Sequence, residues 1–189
     1  AIPMRIGIKK GSDVFQVNFH NIYRLSKKKL FGYDLFSDYK KIFNKFSINY
    51  KNKALEYSKK QCFKRFGGKI GVNMHYSTKS AFSTYDKSNR ILSDNRKKKI
   101  LIATHCFLDN PHPYGKDNIF NDFYEWFDYL SNFPKKTDYE WYVKTHPDFK
   151  IETHKIIKNF LGKYNHLKFV PSNTSHHQLI NEGIDCVLT

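Results

Sequence analysis

Beyond residue 97 the chain alternates between short, continuous apolar runs and longer stretches in which apolar residues return every three or four positions. Ile100-Leu101-Ile102-Ala103 is a run of the kind that a parallel strand buried on both faces requires. A polar loop over 105–118 precedes Ile119, Phe123, Trp126, Phe127 and Leu130, which share one helical face, and Pro134 is expected to end that helix. Residues 139–143 predict a second strand, Ile156, Ile157, Phe160 and Leu161 mark a second helix, and 167–170 predict a third strand. Ser175 and Gln178 have capping-box spacing at the start of a short helix closed by Gly183, and Cys186-Val187-Leu188 predicts a fourth strand. Strands that alternate with helices over short connections build right-handed βαβ units. The expected class is α/β: a Rossmann-like parallel sheet flanked by helices in the C-terminal half.

The first half is patterned differently and is expected to be mostly helical or irregular. Residues 5–10 and 14–19 alternate weakly around Gly11-Ser12-Asp13 and predict a hairpin. Ser37 is placed to cap a helix running to about Phe46, with Tyr39, Ile42, Phe43 and Phe46 on one face. A second helix over 52–66 would turn Leu55, Cys62, Phe63 and Phe66 inward, with Gly67-Gly68 as its stop. From Tyr76 to Arg96 the chain is polar and aperiodic, a loop or linker that runs into Arg96-Lys97-Lys98-Lys99. The domain boundary is therefore expected between residues 96 and 97.

Composition narrows the partners more than the fold. With 33 Lys and Arg against 17 Asp and Glu, the formal charge of +16 attracts phosphate-rich ligands or an anionic membrane surface. Part of the lysine excess accompanies abundant Asn, Ile, Phe and Tyr and so reflects AT-rich coding. Hydrophobic content of 40% is enough for a globular core. Cys62, Cys106 and Cys186 show no CxxC spacing and sit among apolar neighbours, as buried thiols in a reducing compartment would. No apolar run approaches the roughly 20 residues that span a bilayer, and the start lacks a signal-peptide pattern. A cytoplasmic protein is expected, held at most peripherally on the inner membrane. The missing initiator Met and the stop at Thr189, on the end of a strand, suggest a fragment.

In an open parallel sheet, ligands bind beyond the carboxyl ends of the strands. That rule singles out residues 105–112, 145–148, 172–176 and Thr189. The first loop contains His105, Asp109, Asn110 and His112 and exceeds the about two to six residues usual for such a connection. After the second strand, Lys144-Thr145-His146-Pro147 sets an imidazole where it could meet a phosphate. After the third, Ser172, Thr174 and Ser175 lead into a helix start that favours an anion. Each has an ordinary alternative: a His-Pro turn, a helix cap at Ser175, a turn former at Asp109, solvated side chains at His176 and His177. No HExxH or HxxxH spacing nominates a metal, no cofactor is implied, and neither GxGxxG nor a Walker loop occurs.

Taken together, Phe107-Leu108-Asp109-Asn110-Pro111-His112, Phe123-Tyr124-Glu125-Trp126, Val143-Lys144-Thr145-His146-Pro147, Phe169-Val170-Pro171 and Asp185-Cys186-Val187-Leu188-Thr189 resemble bacterial capsule polysaccharide synthesis proteins. The resemblance covers about the last half of the chain. It implies a glycosyltransferase of GT-B type, with a truncated donor domain over 97–189 and the end of an acceptor-side domain over 1–96. It also implies a nucleotide-sugar donor, such as a CMP-linked acidic sugar, and a glycan or lipid-linked glycan acceptor. In that family and in bacterial sialyltransferases of similar fold, Lys-x-His-Pro is associated with the donor phosphate, which nominates Lys144 and His146, with Ser172, Thr174 and Ser175 beside them. Asp109 is the candidate base or loop organiser, and His105, Asn110 and His112 are candidates for the acceptor or the loop. Two alternatives stand beside this reading. One is a nucleotide-sugar epimerase or polyol-phosphate transferase of the same fold. The other is a basic nucleic-acid-binding protein, disfavoured because no helix-turn-helix, RNP or zinc motif accompanies the charge.

Overall fold

The computed structural model describes residues 2–17, 22–30, 38–108, 119–148 and 151–189. They fall into two compact units, one reaching to residue 54 and the other holding 55–108 and 120–189. Residues 55–96, read from the sequence as the end of one domain and a linker, are thus grouped with the sheet.

The first unit opens with helix α1 (Ile2–Lys9), where a strand was expected over 5–10. Gly11 is the reason. At φ +80 it occupies the left-handed position after the helix, its N–H bonds Ile8 O and Ser12 N–H bonds Gly7 O, a Schellman closure rather than a hairpin turn. The hairpin lies further on, between β1 (Val14–Val17) and β2 (Ile22–Leu25), and Ile8, Tyr23 and Leu25 form its small core. Helix α2 (Tyr39–Asn44) follows, with Asp38 at its N-cap; the expected cap, Ser37, lies outside the described residues. Helix α3 (Ile48–Phe66) starts four residues earlier than predicted and buries no side chain. The expected inward face is corrected accordingly: Leu55, Cys62, Phe63 and Phe66 are exposed.

In the second unit, β3 (Lys99–Thr104), β4 (Glu140–Thr145), β5 (Leu167–Val170) and β6 (Cys186–Leu188) form one parallel sheet in the order β5-β4-β3-β6. The chain thus winds outward from β3 to β5, then crosses back to the other side of β3, as a Rossmann-like half-sheet does. Helices α4 (Phe123–Ser131) and α5 (Ile151–Lys163) pack with Ile102, Trp141, Val143 and Leu167 through Phe127, Ile157 and Phe160. On the other face Leu101, Tyr142 and Val170 meet Leu179 of α6 (His176–Asn181). Side chains alternate between faces along each strand, so the buried run at β3 serves both layers.

Several details depart from expectation. Ile119 is exposed and precedes α4, which is capped by Asp122 accepting from Glu125 N–H at 2.8 Å. Pro134 opens a short 3-10 turn after the helix has already closed at Ser131. Ser175 caps α6, but Gln178 reaches Asn89 O and Glu182 instead of completing a capping box. Gly183, at φ +100, closes α6 in the same Schellman pattern. Residues 89–95 are no linker. Leu92 is 2% exposed in the core beneath α6, Glu182 accepts from the N–H groups of Ile91 and Leu92, and Ser93 N–H bonds the Tyr142 hydroxyl. The thiols are also corrected: Cys62 and Cys186 are exposed and Cys106 is half-buried, because α3 buries nothing and β6 is an edge strand. No helix among the described residues is long and apolar enough to cross a membrane.

Candidate functional site

Lys144 is the penultimate residue of β4, in register with Ala103 and Val170, so its side chain leaves the sheet on the α6 side. It is 1% exposed, and among the described residues nothing accepts a hydrogen bond from its Nζ. Removal from water pushes its pKa down to about 8. Thr145, one residue on, faces the α4 and α5 layer and is paired with Thr104 across the last rung; both hydroxyls are buried without a partner among the described residues.

His146 follows as an exposed residue, and buried Pro147 turns the chain. The His146 Nδ1 accepts from Asp148 N–H at 3.1 Å, so the neutral ring carries its proton on Nε2. Asp148 accepts from both the N–H and the hydroxyl of Thr78, the latter at 2.6 Å. Burial alone would raise the Asp148 carboxyl; the Thr78 and Lys79 hydrogen bonds and the charge of His146 hold it below the usual carboxylate range.

The start of α6 closes over the same corner. Ser175 is 1% exposed and its hydroxyl accepts from His177 N–H, while His176 N–H bonds Ala81 O at 2.7 Å. These donors, which the sequence offered to a phosphate, are engaged within the protein. Thr174 is buried and Ser172 half-buried in the turn before the helix. His176 is half-buried against the Phe82 ring. Burial first, then the nearby charges of Lys144, His146 and His177, push its pKa down to about 4. His177, expected to be solvated like His176, donates from Nε2 to Phe66 O at 2.6 Å.

The predicted site residues therefore separate. Lys144, His146, Thr174 and Ser175 gather where β4 meets the start of α6. His105 stands apart, its ring stacked on Phe123 of α4 at 4.6 Å. Asp109, Asn110 and His112 lie outside the described residues. The crevice where the winding direction reverses, between β3 and β6, is one strand away from Lys144.

Sequence reasoning gave the stretch 65–82 no part in a site, reading a helix end with a Gly67-Gly68 stop and, from Tyr76, a loop or linker. Its Schellman closure at Gly68, φ +87, and the left-handed Gly71 and Asn73 fold it back toward His146. Arg65, Lys69, Ser77, Lys79 and Ser80 line a cavity of about 50 Å³ with His146 and Pro147. The signal was present as cations interleaved with glycines, but nothing local tied them to a histidine some eighty positions later. Comparison with protein-family models, with curated proteins and with solved structures found no match to this chain.

Proposed function

We propose that the sheet unit is the donor side of a GT-B glycosyltransferase, which moves a sugar from a nucleotide-sugar to a growing capsular or surface polysaccharide. The observation that carries this reading is Lys144, a buried ammonium with no acceptor among the described residues, beside the His146 imidazole at the carboxyl edge of a parallel sheet. A buried cation is tolerated when an anion matches it. The departing nucleotide phosphate is such an anion, and cations preset around it lower the barrier to sugar transfer by stabilising the charge that develops on the leaving oxygen. Asp109 remains the proposed base for the acceptor hydroxyl, and a glycan or lipid-linked glycan the proposed acceptor.

Calorimetric titration of the chain with CMP, UDP and CDP, beside His146→Ala, tests the reading. Saturable binding of one nucleotide, weakened about tenfold by the substitution, is the expected result. Absence of binding by all three would refute it. Analysis of the product formed from the bound donor then separates sugar transfer from epimerisation or polyol-phosphate transfer.

A further inference from the structure

The segment 67–82 is fastened to the carboxyl edge of the sheet at several points. Thr78 is bound to Asp148, Ala81 O to His176 N–H, and Phe66 O to the His177 ring, while the Phe82 ring lies edge-on to Phe66 and His176. The half-open cavity there is lined by Arg65, Lys69, Lys79 and His146 and by two serines, and no carboxylate lines it. None of the three cations is in an ion pair among the described residues. Asp148, the acid bonded to His146 through its backbone, has its carboxylate turned to Thr78. Lys144, two positions before His146 in the chain, is a buried ammonium with no acceptor among the described residues.

Size decides what such a cavity holds. A volume of about 50 Å³ has room for a few waters or one tetrahedral oxyanion, whereas whole-ligand sites run to roughly 300 Å³ or more. Basic residues Arg65, Lys69 and Lys79 line it together with apolar walls at Val72, Phe82 and Pro147, which concentrate the field of those charges. Guanidinium and ammonium groups around a small pocket suit an acceptor with several charged oxygens better than a single carboxylate.

We infer that residues 65–80 and His146 form a subsite for one phosphate group, supplied by free phosphate or by a phosphate ester, and that this subsite holds the ligand's phosphate end in place of the occupied start of α6. The inference shares His146 with the function proposed above but stands on the cavity and its charges.

Titration of the full chain with orthophosphate and with a nucleoside monophosphate at constant ionic strength, followed by phosphorus NMR, tests it. The Arg65→Gln/Lys69→Gln/Lys79→Gln variant is expected to bind orthophosphate about tenfold or more weakly, a sum of modest exposed-charge contributions. Lys155→Gln/Lys158→Gln, which removes two exposed lysines of α5, is expected to bind unchanged. Lys79→Gln alone, at an exposed loop position, gives a smaller loss of about threefold and serves if the triple variant does not fold. No saturable orthophosphate binding, equal binding by the variants, or an equal loss in the α5 control overturns the subsite. Orthophosphate bound through these residues while no nucleotide binds would uphold the subsite and refute the donor reading. Nucleotide bound equally by wild type and triple variant would do the reverse.

Discussion

A lysine 1% exposed, with no acceptor for its ammonium among the described residues, destabilises the fold in its charged form. Lys144 is held at about 8 against an ordinary 10.5, a penalty of roughly 3 kcal/mol wherever it must be charged. The folded pKa lies below the unfolded one, so between these values the unfolded chain holds a proton that the folded chain releases. Stability therefore rises as pH climbs from about 8 to 10.5. Lys144→Met, which keeps the volume and removes the charge, is expected to raise urea-unfolding stability at pH 7 by about 1–3 kcal/mol and to flatten that rise. The same variant is expected to weaken nucleotide binding at the proposed donor site; a variant that is less stable and binds nucleotide unchanged would contradict that reading. His176 acts on the acid side. It is held at about 4 against 6.5, so stability falls as pH drops from 6.5 through 4, and His176→Gln should lessen that fall in a pH series of unfolding curves.

Three helices, α1, α3 and α6, end in the same way, with a left-handed glycine whose closure the two backbone bonds define. Their substitutions are nonetheless expected to differ. At Gly11 an added methyl meets nothing within 4 Å, so Gly11→Ala should cost only about 1 kcal/mol, the conformational penalty. At Gly68 the methyl would lie 2.8 Å from Phe82 O, so Gly68→Ala adds a backbone collision and should cost about 2–3 kcal/mol or more. Because Phe82 also lines the cavity, a displaced Phe82 backbone should also weaken phosphate binding in Gly68→Ala, and thermal unfolding beside the phosphate titration checks both. The Asp148 clip belongs with this loop. Thr78→Val removes the 2.6 Å hydroxyl bond, and faster amide exchange over 76–81, with the sheet amides unchanged, is the expected signature.

Residues 89–95 show how the second unit holds together. Leu92, 2% exposed, packs with Leu101, Tyr142, Val170 and Leu179, and Glu140 accepts from Asn95, Tyr142 and Lys168. Burial pushes the Glu140 carboxyl up, but those donors outweigh it and hold its pKa at about 2. Leu92→Ala is accordingly expected to cost about 2–4 kcal/mol in chemical denaturation, where a linker residue would cost almost nothing. A polypeptide of residues 97–189 lacks this cover over one face of the sheet and is expected to expose it to a hydrophobic dye, while residues 55–189 should unfold in a single cooperative transition. The charge of +16 also bears on binding as a whole: affinity for phosphate should fall with added salt, because the cations lining the cavity, Arg65, Lys69 and Lys79, are exposed.

The alternation of apolar runs and helical faces after residue 97 was sufficient to place four parallel strands and the helices between them, and β5 and β6 fall where it set them. That succeeded because strand burial on both faces and helix amphipathicity are written within windows of about ten residues. Gly67-Gly68 and Gly183 were legible as helix stops for the same reason, while Gly11, whose neighbours alternate weakly, was read as a hairpin turn. The Lys144-Thr145-His146-Pro147 motif was visible as chemistry at a strand end. What surrounds it was not. Whether the His176 N–H at the start of α6 is free or held by Ala81 O, whether Lys144 has an acceptor, and whether Arg65, Lys69 and Lys79 approach His146 depend on contacts between segments some seventy to a hundred positions apart. No local pattern encodes such contacts, because packing selects them from many loop closures of similar entropy.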